Sequence, residues 1–463
     1  MNDLMEKIVS LCKRRGFVYP GSEIYGGLAS TYDFGPLGVE LKNNIKKLWW
    51  KYFVQDREDM VGLDGGILLH PKIWEASGHV KNFKDALVEC KKCHLRFRPD
   101  KLLAEYYKKN TVIHNLIPTE AEKLNEDLSY FKDIKCTNCG GDFTESKMFS
   151  GMFKTTIGAT DKGGLEAYLR PETAQAIFAD YKSVLDSTNK KIPFGIGQVG
   201  KAFRNEVTTG NFIFRVLEFD LAEVEYFIAP TANWNQIFEK WLSYIYGFAD
   251  LIGLPRDKFF NHEIPAKERA FYSQRTIDIE YQFPFGQDEL WAIAYRTDYD
   301  LAAHQKASGQ NLEYFDETTK QRFLPHVIEP TFGIERTMLA LLANAYQEET
   351  IKDGAKRVVL KLDPNVAPYK VAVFPLLANK EKLVAKAREI YEELKKDFNC
   401  AWDDRGNIGK RYYSQDEIGT PFCITVDFDS LEKGDVTVRD RDTMKQERIK
   451  ISELKKFLEE KLT

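Results

Sequence analysis

The chain has 463 residues and a mass of 53.4 kDa, enough for two to four domains at ~150 residues each. Hydrophobic residues make up 43% and charged residues 29%, which excludes wholesale disorder, and no apolar run reaches the ~18 residues of a membrane span. Lys and Arg number 66 against 70 Asp and Glu, a net charge of −4, so contact with nucleic acid would need a local patch rather than bulk charge.

The charged start, Met1 to Lys7, has no apolar core ahead of a small-residue cleavage site, so no secretory leader is expected. Leu4, Ile8, Leu11 and Cys12 recur at helical spacing, and Arg14-Arg15-Gly16 closes that helix with a basic turn and a glycine cap. A Gly-rich stretch over 21–38 follows, and then a helix with Leu41, Ile45, Leu48, Trp49, Tyr52 and Phe53 on one side. So many large apolar groups mean core or a subunit interface.

Residues 85–147 read as a Lys- and Glu-rich insertion bracketed by Cys90-x-x-Cys93 and Cys136-x-x-Cys139. Four thiolates at knuckle spacing fit a tetrahedral structural zinc site. Seven cysteines with this pairing suit a reducing compartment, so the cytoplasm is the expected location. Cys12, Cys400 and Cys423 lie in apolar surroundings and read as core.

From about 165 to 345 strand-like and helical patterns alternate. A boundary over 356–370 is marked by Asp363-Pro364-Asn365 and Pro368. Beyond it, a buried strand at 371–374, a helix over 380–398, strands at 422–428 and 435–439 and a last helix from Ser452 predict a separate α/β domain. The expected division is 1–84 with 148–355, an insertion at 85–147, and 365–463.

The most informative stretch is Phe203-Arg204-Asn205-Glu206, a polar loop over 207–212, then the segment from Arg215 to Glu223. Both flanks favour strands and Gly210-Asn211 favours a turn. On the returning strand Leu217, Phe219 and Leu221 share one face, and Glu218 and Asp220 the other. Taken alone, this is the charged face of an antiparallel sheet.

These residues resemble the second motif of class II aminoacyl-tRNA synthetases, with Arg204, Glu206, Arg215, Phe219 and Glu223 at its positions. Gly333-Ile334-Glu335-Arg336 resembles the third motif, and Gly35-Pro36-Leu37-Gly38 with the aromatic helix resembles the first. Ser22-Glu23-Ile24-Tyr25-Gly26-Gly27, Leu169-Arg170-Pro171-Glu172-Thr173-Ala174-Gln175, Arg296-Thr297-Asp298-Tyr299-Asp300-Leu301 and His326-Val327-Ile328-Glu329-Pro330 narrow the resemblance to glycyl-tRNA synthetases of the homodimeric kind.

The resemblance implies an α+β catalytic unit, an antiparallel sheet flanked by helices, with a C-terminal mixed α/β anticodon-binding domain. It implies glycine, ATP with Mg²⁺, and the glycine tRNA as substrates, a homodimer, and no membrane partner. ATP would meet Arg204, Asn205, Glu206, Phe214, Arg215, Val216, Leu217, Glu218, Phe219, Glu289, Leu290, Gly333, Ile334, Glu335 and Arg336, with Arg204, Glu206 and Arg336 carrying the chemistry. Glu289, in Asp288-Glu289-Leu290, would hold Mg²⁺.

Glycine would meet Arg98, Glu172, Phe219, Asp220, Leu221, Ala222, Glu223, Arg296, Glu329, Pro330, Thr331, Phe332 and Gly333. Arg96 stands two residues from Arg98, and composition does not choose between them. Thr331 occupies a place where the family commonly has serine, keeping the hydroxyl and adding a methyl. In the last domain Arg439, Asp440, Arg441, Asp442 and Gln446 are candidates to read bases. The rival readings are a non-catalytic binding module, disfavoured by retention of Arg204, Glu206 and Arg336, and a synthetase for proline, threonine or histidine.

Overall fold

The computed structural model describes residues 3–99, 102, 134–158, 163–206, 210–351, 354 and 356–462. Much of the expected insertion (100–101 and 103–133) and positions 207–209 of the polar loop lie outside the described residues. Among the described residues the largest sheet has seven strands: β1 Met60–Gly62, β2 Phe194–Phe203, β3 Glu218–Ile228, β4 Phe259–Glu263, β5 Arg275–Phe283, β6 Gly286–Thr297 and β7 His326–Gly333. Their order is β4-β5-β6-β7-β3-β2-β1. Neighbours run antiparallel except edge strand β1, which is parallel to β2, so the sheet is mixed rather than wholly antiparallel.

Side-chain alternation sorts the two faces of this sheet. Ala222, Val224 and Tyr226 of β3, with Ile328 and Phe332 of β7, join the main hydrophobic core. That core is closed by α1 (Asp3–Arg15), α2 (Pro36–Trp50), α4 (Trp234–Leu251) and α6 (Ile334–Ala345). The opposite face, with Ile196 and Phe227, packs on α3 (Ala174–Thr188) and α5 (Tyr299–Ser308). The aromatic stripe on and after α2 belongs to the core: Leu41, Ile45, Trp49 and Phe53 are fully buried. The exposed apolar groups lie instead in the preceding Gly-rich turn, where Ile24 is 88% and Tyr25 87% accessible.

The hairpin around 203–218 departs from the simple expectation. β2 stops at Phe203, and the returning strand begins only at Glu218, after a single 3₁₀ turn at Phe212–Phe214. Arg204 still pairs across, its backbone N–H donating to the Leu217 carbonyl at 3.0 Å.

The C-terminal sheet comprises β8 (Val371–Pro375), β9 (Cys400–Trp402), β10 (Phe422–Val426), β11 (Asp435–Asp440) and β12 (Gln446–Lys450), in the order β9-β8-β10-β11-β12. Leu383, Ala387, Ile390 and Leu394 of α7 (Glu381–Leu394) cover it, joined by Leu454 and Leu458 of α9 (Leu454–Leu462). Asp416, at the end of α8 (Ile408–Asp416), binds Arg357 at 2.7 Å and Arg439 at 2.8 Å. Arg15 of α1 reaches Glu417 at 2.6 Å. These contacts tie the two sheets' units together.

Candidate active site

Arg204 sits at the exit of β2 and Arg336 in the first turn of α6, and both line one pocket. Arg204 donates to the Pro171 carbonyl at 3.2 Å and lies 5.5 Å from the Phe219 ring centre. Arg336 rests over the Phe214 ring at 4.5 Å and pairs with Glu289 at 3.1 Å. Burial would raise the Glu289 carboxyl, but the charges of Arg336, Arg204 and Arg215 outweigh it and hold it below its usual range.

Glu206, Arg215, Val216, Leu290 and Gly333 line the same pocket. Asn205 stands half-buried beside Arg204, its amide bonded to the Ser150 carbonyl at 3.4 Å. Leu217 contributes its backbone N–H to the Ser30 carbonyl, while Glu218 is exposed and pairs with Lys201 at 3.0 Å. Ile334 is buried in the hydrophobic core. Glu335 borders the pocket, but its carboxylate pairs with Lys42 of α2 and accepts the Asp220 backbone N–H at 2.9 Å.

A second cluster lies deeper along β3, β6 and β7. Arg296 is fully buried and donates to Asp300 at 2.8 and 2.9 Å and to Glu329 at 2.6 Å. Its guanidinium also stacks on Tyr272 at 3.8 Å. Glu172 lies 3.2 Å from His79 and accepts from Gln175 at 3.0 Å. Burial pushes Glu172 up, yet His79 and then Arg296 prevail and hold it well below the carboxylate range.

Glu223 Oε2 caps the N-terminus of α3, accepting the backbone N–H groups of Thr173 at 2.7 Å and Ala174 at 3.0 Å, and the Thr173 hydroxyl. Its Oε1 faces the Thr331 hydroxyl at 3.5 Å. Burial, then the Glu172 charge, raise the Glu223 carboxyl, and burial brings Glu329 up to about 8.

Some expected glycine contacts face elsewhere. Asp220 projects from the other side of β3 onto Lys42 at 2.9 Å and Lys46 at 3.3 Å. Ala222 and Phe332 point into the core, and Pro330 alternates with Glu329 toward that side. Strand periodicity dictates this, because only every second residue of 219–223 and 329–333 shares the site face. Phe219, Leu221, Glu223, Glu329, Thr331 and Gly333 do. Arg98 follows the strand Arg96–Phe97 and is half-buried, whereas Arg96 pairs with Glu89 at 3.2 Å.

His79, Asp300 and Tyr272 were not among the expected site residues. Asp300 had a signal, standing four residues after Arg296, although β6 ends at Thr297 and the pair spans a strand–helix junction. His79 and Tyr272 had none, because each is isolated in sequence from its partners.

The four knuckle cysteines converge, with all sulfurs within 4.8 Å of one another. Cys90–Cys139 and Cys93–Cys136 are 3.4 and 3.6 Å apart, close to the ~3.8 Å edge of a tetrahedron with zinc–sulfur bonds of about 2.3 Å. In the C-terminal sheet, Arg439 is buried against Asp416, and Arg441 against Asp442 and the Gly419 carbonyl. Neither arginine can present its fork to a base; the exposed Gln446 can. No helix among the described residues is long and apolar enough to cross a membrane.

Comparison with known proteins agrees with this geometry. Residues 153–345 match the tRNA synthetase class II core domain (G, H, P, S and T), and residues 370–461 match an anticodon binding domain. Glycine–tRNA ligase of Lachnospira eligens is 51% identical over 100% of this chain and 99% of its own length. That of Clostridium acetobutylicum is 51% identical over 99% and 98%, and that of Geobacillus kaustophilus 50% identical over 99% of each. With likeness of this extent from end to end, the chain belongs to the glycine–tRNA ligase family of class II aminoacyl-tRNA synthetases.

Proposed function

We propose that the protein activates glycine with ATP and transfers it to the 3′ end of the glycine tRNA. The observation that carries this reading is the adjacency of two unlike sites: a pocket with Arg204, Arg336 and Thr331, and, reached through the Thr331–Glu223 contact, a buried cluster of acids around Arg296, which we take as the glycine recess. A glycine carboxylate oxygen attacks the α-phosphorus, the bond to the β-phosphate breaks, and pyrophosphate leaves. The carboxylate is already ionised near neutral pH, so this step needs no general base. It needs alignment and neutralisation of charge.

Arg204 serves the α-phosphate and the incoming carboxylate through its bidentate fork. Arg336 and Arg215 serve the phosphate chain, Glu206 the adenine amino group, and Phe219 one face of the base. Mg²⁺, when bound, would neutralise phosphate charge, and Glu289, the carboxylate beside Arg336, is the side chain that would hold it. Glu172, Glu223 and Glu329 hold the ammonium group, with Arg98 and Arg296 bordering the recess. The Thr331 methyl helps exclude a β-carbon, since overpacking costs ~1–3 kcal/mol. In the second step the terminal hydroxyl of the tRNA attacks the glycyl carbonyl and AMP leaves.

The organisation that serves this chemistry is a catalytic unit of 1–84 and 148–355, an inserted subdomain at 85–147 holding zinc on Cys90, Cys93, Cys136 and Cys139, and an anticodon-reading unit at 365–463. Exposed Ile24, Tyr25 and Leu28, close to Ser30 and its contact with Leu217, support a homodimer covering that turn. The cytoplasm suits the free thiols.

Amino-acid-dependent pyrophosphate exchange, run with all twenty amino acids, tests the assignment. Exchange should be strongest with glycine; stronger exchange with any other amino acid overturns it.

A further inference from the structure

One acid in the row of side chains beneath the recess has no part in the reaction so far. In the antiparallel pairing of β3 with β7, Glu223 stands opposite Thr331 and Tyr226 opposite Ile328, which puts Glu225 opposite Glu329. On its other side, β2 sets Ile196 against Glu225. Glu225 is fully buried, and neither carboxyl oxygen has a hydrogen-bond partner among the described residues. Such a group is costly to keep unless something else requires it.

The charged groups facing it are Glu329 on β7, Arg296 on β6, Glu223 on its own strand and Asp300 on α5. The one guanidinium there is already engaged, by two bonds to Asp300 and one to Glu329. Burial first, and then the Glu329 charge, raise the Glu225 carboxyl well above the usual range and so favour its neutral form.

We propose that Glu225 is a positioning residue of the glycine recess, a neutral carboxylic acid whose O–H donates to the Glu329 oxygen that Arg296 leaves free. The inference rests on reading Glu172, Glu223 and Glu329 as the ammonium-binding acids. Directly opposed residues on antiparallel strands have Cβ atoms ~4.5–5.5 Å apart, within reach of two carboxyl groups. Apolar burial that keeps an acid protonated so that it can donate is an established use of such an environment. A donor on Glu329 favours its charged form, the form that holds an ammonium ion. Without that donor Glu329 retains its proton to higher pH, and glycine binding weakens over a wider range.

The test compares full-length wild-type protein, Glu225→Gln and Glu225→Leu in glycine-dependent pyrophosphate exchange across pH. Glutamine keeps a neutral donor, whereas leucine keeps neutrality and bulk without one. Glu225→Gln is expected within about twofold of wild type in glycine KM, with an unchanged pH profile. Glu225→Leu is expected to raise glycine KM roughly tenfold, the loss of one hydrogen bond to a charged group, and to leave ATP KM unchanged. Its acid limb in kcat/KM for glycine should move up by about one pH unit.

A Glu225→Leu protein that matches wild type in both KM and pH profile overturns the proposal, as does a Glu225→Gln protein as impaired as Glu225→Leu. If Glu225→Leu does not fold, Glu225→Met supplies the same comparison. Wild-type protein that shows no glycine-dependent exchange overturns the recess itself along with this inference, whereas a silent leucine variant beside an active wild type overturns this inference alone.

Discussion

Lys42 of α2 and Glu335 of α6 form a buried ion pair at 2.5 Å, linking the helix that backs the sheet to the helix that carries Arg336. Lys42 also lies 2.9 Å from Asp220, so one ammonium serves two acids, of which Glu335 borders the pocket of Arg204 and Arg336. Replacing it by Met leaves Glu335 buried without its cation and Asp220 with the more distant Lys46, at 3.3 Å. Lys42→Met should cost ~3–5 kcal/mol of stability, the usual result of removing one partner from a buried ionic group. Chemical denaturation checks this; a loss within error of zero would show that the acids take up protons without consequence.

Arg204→Ala should abolish glycine-dependent pyrophosphate exchange while far-UV circular dichroism stays unchanged. The expected loss in kcat is about 10²–10³, as for removal of one donor to a developing charge. Arg204→Lys should recover little, because a point charge lacks the planar fork. Near-normal exchange in either variant would take Arg204 out of the reaction.

Elemental analysis of protein purified without chelator should find one zinc per chain. Cys93→Ser should lower that content and loosen the two turns at Cys90–Cys93 and Cys136–Cys139, read as faster amide exchange there with little change in the seven-stranded sheet. A metal-free protein with the same exchange rates would exclude a structural metal.

Asp278 of β5 is held up to about 7, by burial first and then by the nearby Glu289 charge. The folded state therefore keeps a proton that the unfolded chain has released above pH ~4. With more protons bound to the native state, stability should fall as pH rises from about 4 to 7 and then level off. Asp278→Asn should remove that part of the slope, and denaturation midpoints over this range measure it. An identical slope in the variant would assign the effect to other groups.

Local pattern carried much of the architecture into the sequence. Arg14-Arg15-Gly16 ends α1 as its composition suggests, with Gly16 at φ 78°, and the spacing of Leu383, Ala387, Ile390 and Leu394 marks the buried face of α7. Arg204, Glu206, Arg215 and Arg336, which line one pocket, stand in short motifs and were legible for that reason, whereas Ile213 and Trp291 of the same lining carried no such signal. What remained hidden depends on partners distant in the chain. Asp220 looked like a site acid until Lys42, on a helix far upstream, claimed it. Arg439 looked like a base reader until Asp416 buried it. His79 gave no local sign because its partner, Glu172, lies across the fold.

The bonds from Asp416 to Arg357 and Arg439, with Arg15 on Glu417, have a mechanical meaning. Asp416 closes α8 and Glu417 caps it, so one short stretch of chain carries the braces to Arg357, Arg439 and Arg15 at once. Disturbing that single helix end would loosen three attachments together.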